Sequence, residues 1–525
     1  MSLKVLFLYP NYYGMNMLPP AIALLSAVLK QDNHDIRLFD TTYYSSDFGS
    51  DSDGTKVDRL NVIPFNNAGS YIPEMHKTSW KDDIKDLVES YQPDLIAMSC
   101  TEDMWELGLA IIEKVEDYII KRQTHVLVGG VFATFAPEIA IRHRLINSVC
   151  VGEGENAIRT LCKRIESGES YNDVTNLWVK GKDGAVSKNS MSDPVDVNAM
   201  PMMDIDIFEK QRLYRPMAGR WYKMFPVETI RGCPYKCTFC NSPSQIKIYD
   251  AKTDESYFRK RRMDLVYDEL KHFKERFGVE YNYFWADTFL AITEKEFDEF
   301  CEMYSDIKTP FWMQTRAETL TDYKVRKLAE VGLHRFSVGI EHGNEAFREK
   351  ILDRRWKNES IIEALKIPHR YGVQFTCNNI VGFPTETREL AMETIELNRH
   401  IQADSQNLNG FVPFHGTPLR KMAENLGLID PDTITRCLTD DAMLDMPQFT
   451  SKEISGLIKC FVLYVKFPKN RWKDIRKAEE DTPEGKKILE ELKDEYREKY
   501  MPKKTNGNSE EIPAAADLEY GVDLH

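Results

Sequence analysis

The sequence predicts an α/β protein: a Rossmann-like, doubly wound parallel sheet, then a partial (βα)6 barrel, then a helical C-terminal region. Three observations carry this. Strand-length apolar runs alternate with helical stretches in residues 1–165 and again from 226. The first run, KVLFLY (4–9), is a continuous apolar run after Lys4, as a strand covered on both faces should be. The chain has 525 residues, more than one core organises, so several domains are expected.

The elements follow in order. PPAIALLSAVLK (19–30) has helical spacing. DIRLF (35–39), DLIAMS (94–99), HVLVGG (125–130) and SVCVGEG (148–154) read as further strands, with helices at 104–121 and 155–166. Residues 45–80 are polar and rich in Gly, Asp and Ser, which predicts a surface insertion. From 166 to 225 the pattern weakens, and NLWVKGKDGAVSKN predicts a small Asp-Gly hairpin within a linker. The second series spans 226–425. Its strands are PVETIRG (226–232), YNYFWAD (281–287), PFWMQT (310–315), RFSVGI (335–340), VQFTCNNI (373–380) and NLNGFV (407–412). Helices are expected near 257–276, 293–305, 321–331, 358–371 and 386–402. About six strand–helix units fall short of an eightfold barrel. Residues 426–501 read as helical and charged; EGKKILEELKDEYREKY (484–500) suits a solvated face or a packing arm. The tail, 502–525, has the composition of a disordered segment.

Composition narrows the function. A net charge of −14 argues against general nucleic-acid binding. No run reaches the ~18 apolar residues of a membrane span. MSLKVLFLYP lacks the h-region and cleavage site of a signal peptide. Ten cysteines in so long a chain are not a disulfide framework, and a reducing cytoplasm is expected.

In RGCPYKCTFCNSPSQ (231–245), Cys233, Cys237 and Cys240 follow C-x3-C-x2-C just after the first barrel strand. That is the mouth of the barrel, where loops carry chemistry. A structural zinc site wants a fourth nearby ligand, and the next candidates, His272 and Cys301, are far along the chain. A Cys237–Cys240 redox pair leaves Cys233 unexplained. Three thiolates on a four-iron cluster leave one iron open to a ligand. The cluster is favoured, with zinc and redox thiols as the competitors.

The spacing, with Phe239 before the last cysteine, resembles the radical S-adenosylmethionine superfamily. FWAD (284–287), MQTRAETL (313–320), SVGIEHG (337–343), NNIVGFPTET (378–387) and FVPFHGTPL (411–419) resemble its later segments in order. The resemblance covers about 226–425. It implies a [4Fe-4S] cluster on Cys233, Cys237 and Cys240, whose open iron takes S-adenosylmethionine. It implies cofactor contacts from Phe239, Asp287, Gln314, Arg316 and Glu341, and a 5′-deoxyadenosyl radical as product of one-electron cleavage. Read without the resemblance, Asp287 is a helix N-cap and Arg316 a rim ion pair.

GEGENA (152–157) fits G-x-G-x-x-A, but it follows the last strand of its unit and presents two glutamates, which speaks against NAD or FAD. The N-terminal pattern is similar to the cobalamin-binding domain of the B12-dependent branch of the same superfamily. Pro20, Ser99-x-Thr101, Gly129-Gly130 with Pro137-Glu138, and Gly152-Glu-Gly-Glu155 carry that likeness. It implies cobalamin contacts from Ser99, Thr101, Gly129, Gly130 and Glu153. Asp32-Asn33-His34 lacks the Gly of the cobalt-ligating Asp-x-His-x-x-Gly motif and precedes the second strand. His34 is therefore expected at a surface turn, with no protein histidine on cobalt. The Thr101–Trp105 loop is a candidate cover for the lower face, with Met104 and Trp105 equally readable as packing. Cys377 is expected to be a buried, inert thiol rather than a cavity residue.

The family likeness implies a cobalamin-dependent radical enzyme that methylates an unactivated carbon through methylcobalamin. The alternatives are a cobalamin-dependent radical cyclase or rearrangement enzyme, and a non-catalytic iron–sulfur or cobalamin carrier. Implied partners are an unidentified substrate and an electron donor such as flavodoxin or ferredoxin.

Overall fold

The computed structural model describes residues 2–49, 51–62, 64, 71–251, 253 and 255–501; the 502–525 tail lies outside them. The first sheet holds β1 (Lys4–Tyr9), β2 (Asp35–Asp40), β3 (Leu95–Ser99), β4 (His125–Gly129), β5 (Ser148–Cys150), β6 (Leu177–Lys180) and β7 (Val186–Lys188). Its order is β2-β1-β3-β4-β5-β6-β7. The first five strands run parallel, and β6 and β7 are antiparallel. Leu6, Leu8, Ile96, Met98, Val126 and Val128 enter one core layer. Val5, Phe7, Leu95, Ala97 and Leu127 enter the layer on the other face. Burial on both faces is why the strands read as unbroken apolar runs.

Residues 166–225 are not a linker. The hairpin β6–β7 extends the first sheet, and Ile205 and Phe208 are buried beneath it. Asp204 there accepts from Ser26 and pairs with Lys30, both 2.6 Å. A second hairpin, β8 (Tyr214–Met217) and β9 (Arg220–Val227), opens the barrel sheet. Its turn, Ala218 and Gly219, has φ of 50° and 77°, the two positive values of a tight two-residue hairpin turn.

Two short strands, β10 (Ile230–Arg231) and β11 (Arg259–Lys260), pair with each other. The barrel continues with β12 (Tyr281–Phe284), β13 (Phe311–Arg316), β14 (Leu333–Glu341), β15 (Gln374–Val381) and β16 (Ser405–Gly410). The order is β16-β15-β14-β13-β12-β9-β8, so six parallel strands carry one antiparallel edge strand. Helices Met263–Phe277, Glu294–Ile307, Asp322–Val331, Asn358–Arg370 and Arg388–Arg399 alternate with them. Met313, Phe336, Val338, Phe375 and Cys377 face the helices. The alternate residues are aligned across the strands on the opposite, luminal face: Gln314, Ser337, Thr376 and Ser405 in one layer; Arg316, Gly339, Asn378 and Asn407 in the next. Cys377 thus belongs to the packed outer face.

Two further expectations are revised. The 45–80 insertion is not a free surface loop in its described part: helix Ser52–Asp58 leads into Leu60 and Asn61, both buried. Arg59 donates to the Thr439 carbonyl at 2.7 Å and Asn61 to that of Gln406 at 3.2 Å, so the insertion docks on the barrel. The C-terminal region is helical only from residue 451; 426–450 is irregular, with one bridge between Met446 and Phe449. Helix Ser451–Lys466 is buried along most of its length, and Leu489, Leu492 and Tyr496 of Pro483–Lys499 pack on the same core. Among the described residues no helix is long and apolar enough to cross a membrane.

Candidate active site

The loop after β10 carries the three cysteines at the C-terminal mouth of the barrel. The Cys240 N–H donates to the Cys237 carbonyl at 3.2 Å, which folds the last turn of the loop. Cys233 Sγ lies 3.5 Å from Thr288 Oγ1. Arg316, at the end of β13, donates from Nη1 to Cys237 Sγ at 3.2 Å and stacks 3.9 Å over the ring of Tyr235. Burial pushes the Cys240 thiol up to about 12. Its surroundings alone therefore do not favour the thiolate.

The strand ends bring the other barrel candidates to the same mouth. Asp287 accepts from the hydroxyl of Ser242, two residues past Cys240, and burial raises its carboxyl above the usual range. It is not a helix cap, because the next helix starts at Glu294 with Thr293 as its capping-box residue. Gln314 and Arg316 share the luminal face of β13. Glu341 closes β14 with φ of 68°, a left-handed value a non-glycine residue rarely adopts. It is buried and takes a 2.9 Å bond from Arg354; burial raises its carboxyl, with Arg354 opposing. Phe239, partly buried, packs its ring against Phe383 of the core, with centroids 6.2 Å apart.

A cavity of about 410 Å³ lies between this mouth and the C-terminal ends of the first sheet. Ser99, Gly129, Gly130, Val131 and Gly154 line it from the sheet side; Gly232, Asn241, Ser242, Trp285 and Asp287 line it from the barrel side. Its deep end is an apolar slot between Phe7, Leu24, Leu25, Ala97, Leu127 and Ile158. A Cβ on Gly129 would meet only Cys150, at 3.6 Å, and one on Gly154 only Leu25 and Cys150, at 3.7 and 3.8 Å. Bare backbone therefore forms part of the cavity wall. Gly130 has φ of 100°, and a Cβ there would lie 2.5 Å from the Cys100 carbonyl oxygen.

Two family models match the chain in order: the B12 binding domain over residues 65–162 and the radical SAM superfamily over residues 227–397. The chain belongs to the cobalamin-dependent radical S-adenosylmethionine enzymes. The enzyme is 25% identical to an uncharacterized methyltransferase of Pyrococcus horikoshii over 398 residues, 75% of this chain and 83% of the relative. It is 25% identical to the anaerobic magnesium-protoporphyrin IX monomethyl ester cyclase of Cereibacter sphaeroides over 436 residues, 79% of this chain and 63% of the cyclase. In fold it is similar to the radical S-adenosylmethionine methyltransferase TsrM from Kitasatospora setae (TM-score 0.59, 15% identity, 82% of this chain and 77% of that one). It is also similar to the cobalamin-dependent S-adenosylmethionine radical enzyme OxsB (TM-score 0.64, 16% identity, 95% and 71%). The enzyme's cofactors are a [4Fe-4S] cluster, S-adenosylmethionine and cobalamin.

The residues present fit these groups. Among the described residues, no three His, Cys, Asp or Glu side chains converge on a single ion, whereas a four-iron cluster binds each thiolate at a different iron. A guanidinium donating to the Cys237 sulfur suits an anionic cluster. The glycine wall and apolar slot suit a large flat ligand with a bulky apolar appendage.

Three expectations about individual residues change. Thr101 lies outside the cavity lining and bonds Asp103, while Met104 and Trp105 are packed in the core, the latter 4.9 Å from the Phe132 ring. His34 is buried, not at the surface, because its Nδ1 accepts from the Leu3 N–H at 3.3 Å; it does sit at the N-terminal edge of the sheet. Glu153 lines the cavity, but its carboxylate is engaged by Arg231 (2.8 Å), Arg259 (2.5 Å) and the Val195 N–H (2.8 Å).

That last network was not legible beforehand. Arg231, two residues before Cys233, also binds Glu155 at 2.7 Å and Glu228 at 3.0 Å. Burial opposes the charge on Arg231, but the three carboxylates outweigh it and hold its pKa well above the ordinary value. Burial likewise opposes the Glu153 carboxylate, and Arg231 with Arg259 holds it below the usual range. The GEGE sequence thus grips the root of the cysteine loop. Its only advance signal was two glutamates in a motif that a dinucleotide would not favour.

Proposed function

We propose that the enzyme methylates an unactivated carbon of its substrate. The observation that carries the reading is the single cavity walled by the cobalamin-domain glycines on one side and by the flanks of the cysteine loop on the other. A methyl donor and a radical initiator held there reach the same carbon atom. Bound together, the cofactors supply hydrogen abstraction by a one-electron route and a methyl group for transfer. Cys233, Cys237 and Cys240 hold the cluster. Asp287, Gln314, Arg316 and Glu341 are proposed to fix the polar groups of S-adenosylmethionine at the strand ends. Ser99, Gly129 and Gly130 seat cobalamin by backbone approach, while Phe239 and Glu153 act by packing and by ion pairing. Trp285 and Val131, both exposed, line the same space and give it apolar surface. The partner is a one-electron donor such as flavodoxin or ferredoxin, in a reducing cytoplasm.

The test is a mass-shift screen of cell extract with the reconstituted enzyme, reductant, cobalamin and S-adenosylmethionine labelled on its methyl group. A metabolite carrying the labelled methyl supports the reading. Formation of 5′-deoxyadenosine with consumption of a metabolite and no label transferred favours the second reading, a radical cyclisation or rearrangement, which the match to the cyclase motivates.

A further inference from the structure

Glu102 follows β3 in the cobalamin-binding domain and is 2% exposed, yet its partners belong to the far end of the chain. Its carboxylate accepts from the His415 N–H at 2.9 Å, from His415 Nδ1 at 2.7 Å and from the Thr435 N–H at 3.0 Å, with Arg420 Nη1 at 3.5 Å. His415 begins the turn that leads from β16 into helix Pro418–Asn425. The same turn holds the cysteine loop. Asn241 donates to the His415 carbonyl at 2.7 Å, Ser244 to the Gly416 carbonyl at 2.7 Å, and the Leu419 N–H to the Thr238 carbonyl at 3.2 Å. Gly416 has φ of 84°, and a Cβ there would overlap the Phe135 ring, so the turn is also pressed against the short helix that follows Gly130.

We propose that Glu102 is a positioning residue that sets the spacing between the cobalamin wall and the cluster through the His415–Leu419 turn. The proposal rests on the reading of the cavity as the cobalamin site. The turn is a rivet between a carboxylate of one domain and residues 238–244 of the other. Arg231 with Glu153 and Glu155 grips the opposite flank of the same loop. The cysteine loop is therefore held at both ends by acidic side chains of the cobalamin-binding domain. Removing Glu102 leaves the His415 and Thr435 N–H groups and the His415 Nδ1 without their buried partner, while Arg420 keeps its bonds to the Pro413, Pro431 and Thr433 carbonyls, which frees the turn without touching a cofactor contact.

The experiment compares Glu102→Gln and Glu102→Ala with the parent enzyme, all reconstituted with iron, sulfide and hydroxocobalamin. Iron and cobalamin content should be unchanged. Amide exchange of peptides covering 233–245 and 413–420 should speed up at least tenfold in Glu102→Ala and less in Glu102→Gln, with β1–β5 unchanged. The magnetic interaction between Co(II) and the reduced cluster, read by electron paramagnetic resonance, should broaden in the same order. If loop exchange and this interaction both stay at parental values, the proposal fails. It fails equally if exchange rises as much in β1–β5 as in the loops, since Glu102 then serves the fold alone. His415→Ala, which removes the ring from the other side, should reproduce the pattern and decides the matter if Glu102→Ala does not accumulate. Absence of cobalamin from the parent enzyme would overturn the cavity reading, and with it a proposal about cobalamin spacing; the exchange data would then report only on the rivet itself.

Discussion

Arg316 donates to the sulfur of Cys237 at 3.2 Å while its guanidinium lies over Tyr235 and beside Glu318. A donor held against one cluster thiolate stabilises the more negative, reduced state. Arg316→Met should therefore lower the reduction potential. A differential loss of about 1 kcal/mol corresponds to about 40 mV for one electron. Potentiometric titration of the cluster signal measures it. An unchanged potential would mean that the contact has no electrostatic weight.

Single replacement of Cys233, Cys237 or Cys240 by Ala should abolish the four-iron spectrum and all cleavage of S-adenosylmethionine. Cys100, Cys150, Cys162, Cys301, Cys377, Cys437 and Cys460 are buried and outside the loop. Their replacement should leave iron content near the parental value. Iron and sulfide analysis of the ten variants checks both halves.

His34→Ala should leave the amount and visible spectrum of bound cobalamin unchanged, since His34 sits at the end of the sheet opposite the cavity. It should lower stability by about 1–2 kcal/mol, because the Leu3 N–H loses a buried acceptor. A nitrogen hyperfine line on Co(II) that vanishes with the substitution would place His34 on cobalt and refute this.

Lys466 is buried at the end of its helix, and burial lowers its pKa to about 8 against the opposing pull of Asp404 and Cys377. The folded value lies below the unfolded ~10.4, so between these the unfolded chain binds more protons and stability rises with pH. Below pH 8 the charged amine costs the fold, on the order of 3 kcal/mol. Lys466→Met should raise the thermal midpoint at pH 7 and flatten its rise from pH 8 to 10. A parental slope in the variant would assign that rise to other groups.

The parallel strands were legible because burial on both faces leaves apolar runs such as KVLFLY, and the cysteine loop because its spacing is local. The β8–β9 hairpin was missed because Pro226 and Lys223 interrupt its apolar pattern and the strand starts six residues early. Helix Ser451–Lys466 was hidden in a region judged by its charged end. The ionic ties were unreadable for a simpler reason: Glu155 and Arg231 are 76 residues apart, and Glu102 and His415 are 313 apart. Nothing local in a sequence marks such partners.

We place cobalamin in the cavity between the glycine wall and the cysteine loop. Gly129→Trp tests it most directly, because a Cβ at Gly129 meets only Cys150 and the indole must extend into the cavity. After reconstitution, cobalamin and iron are measured in the same sample. Cobalamin should fall to a few per cent of the parent while the [4Fe-4S] cluster and formation of 5′-deoxyadenosine persist. One full equivalent of cobalamin retained beside an intact cluster would contradict that placement.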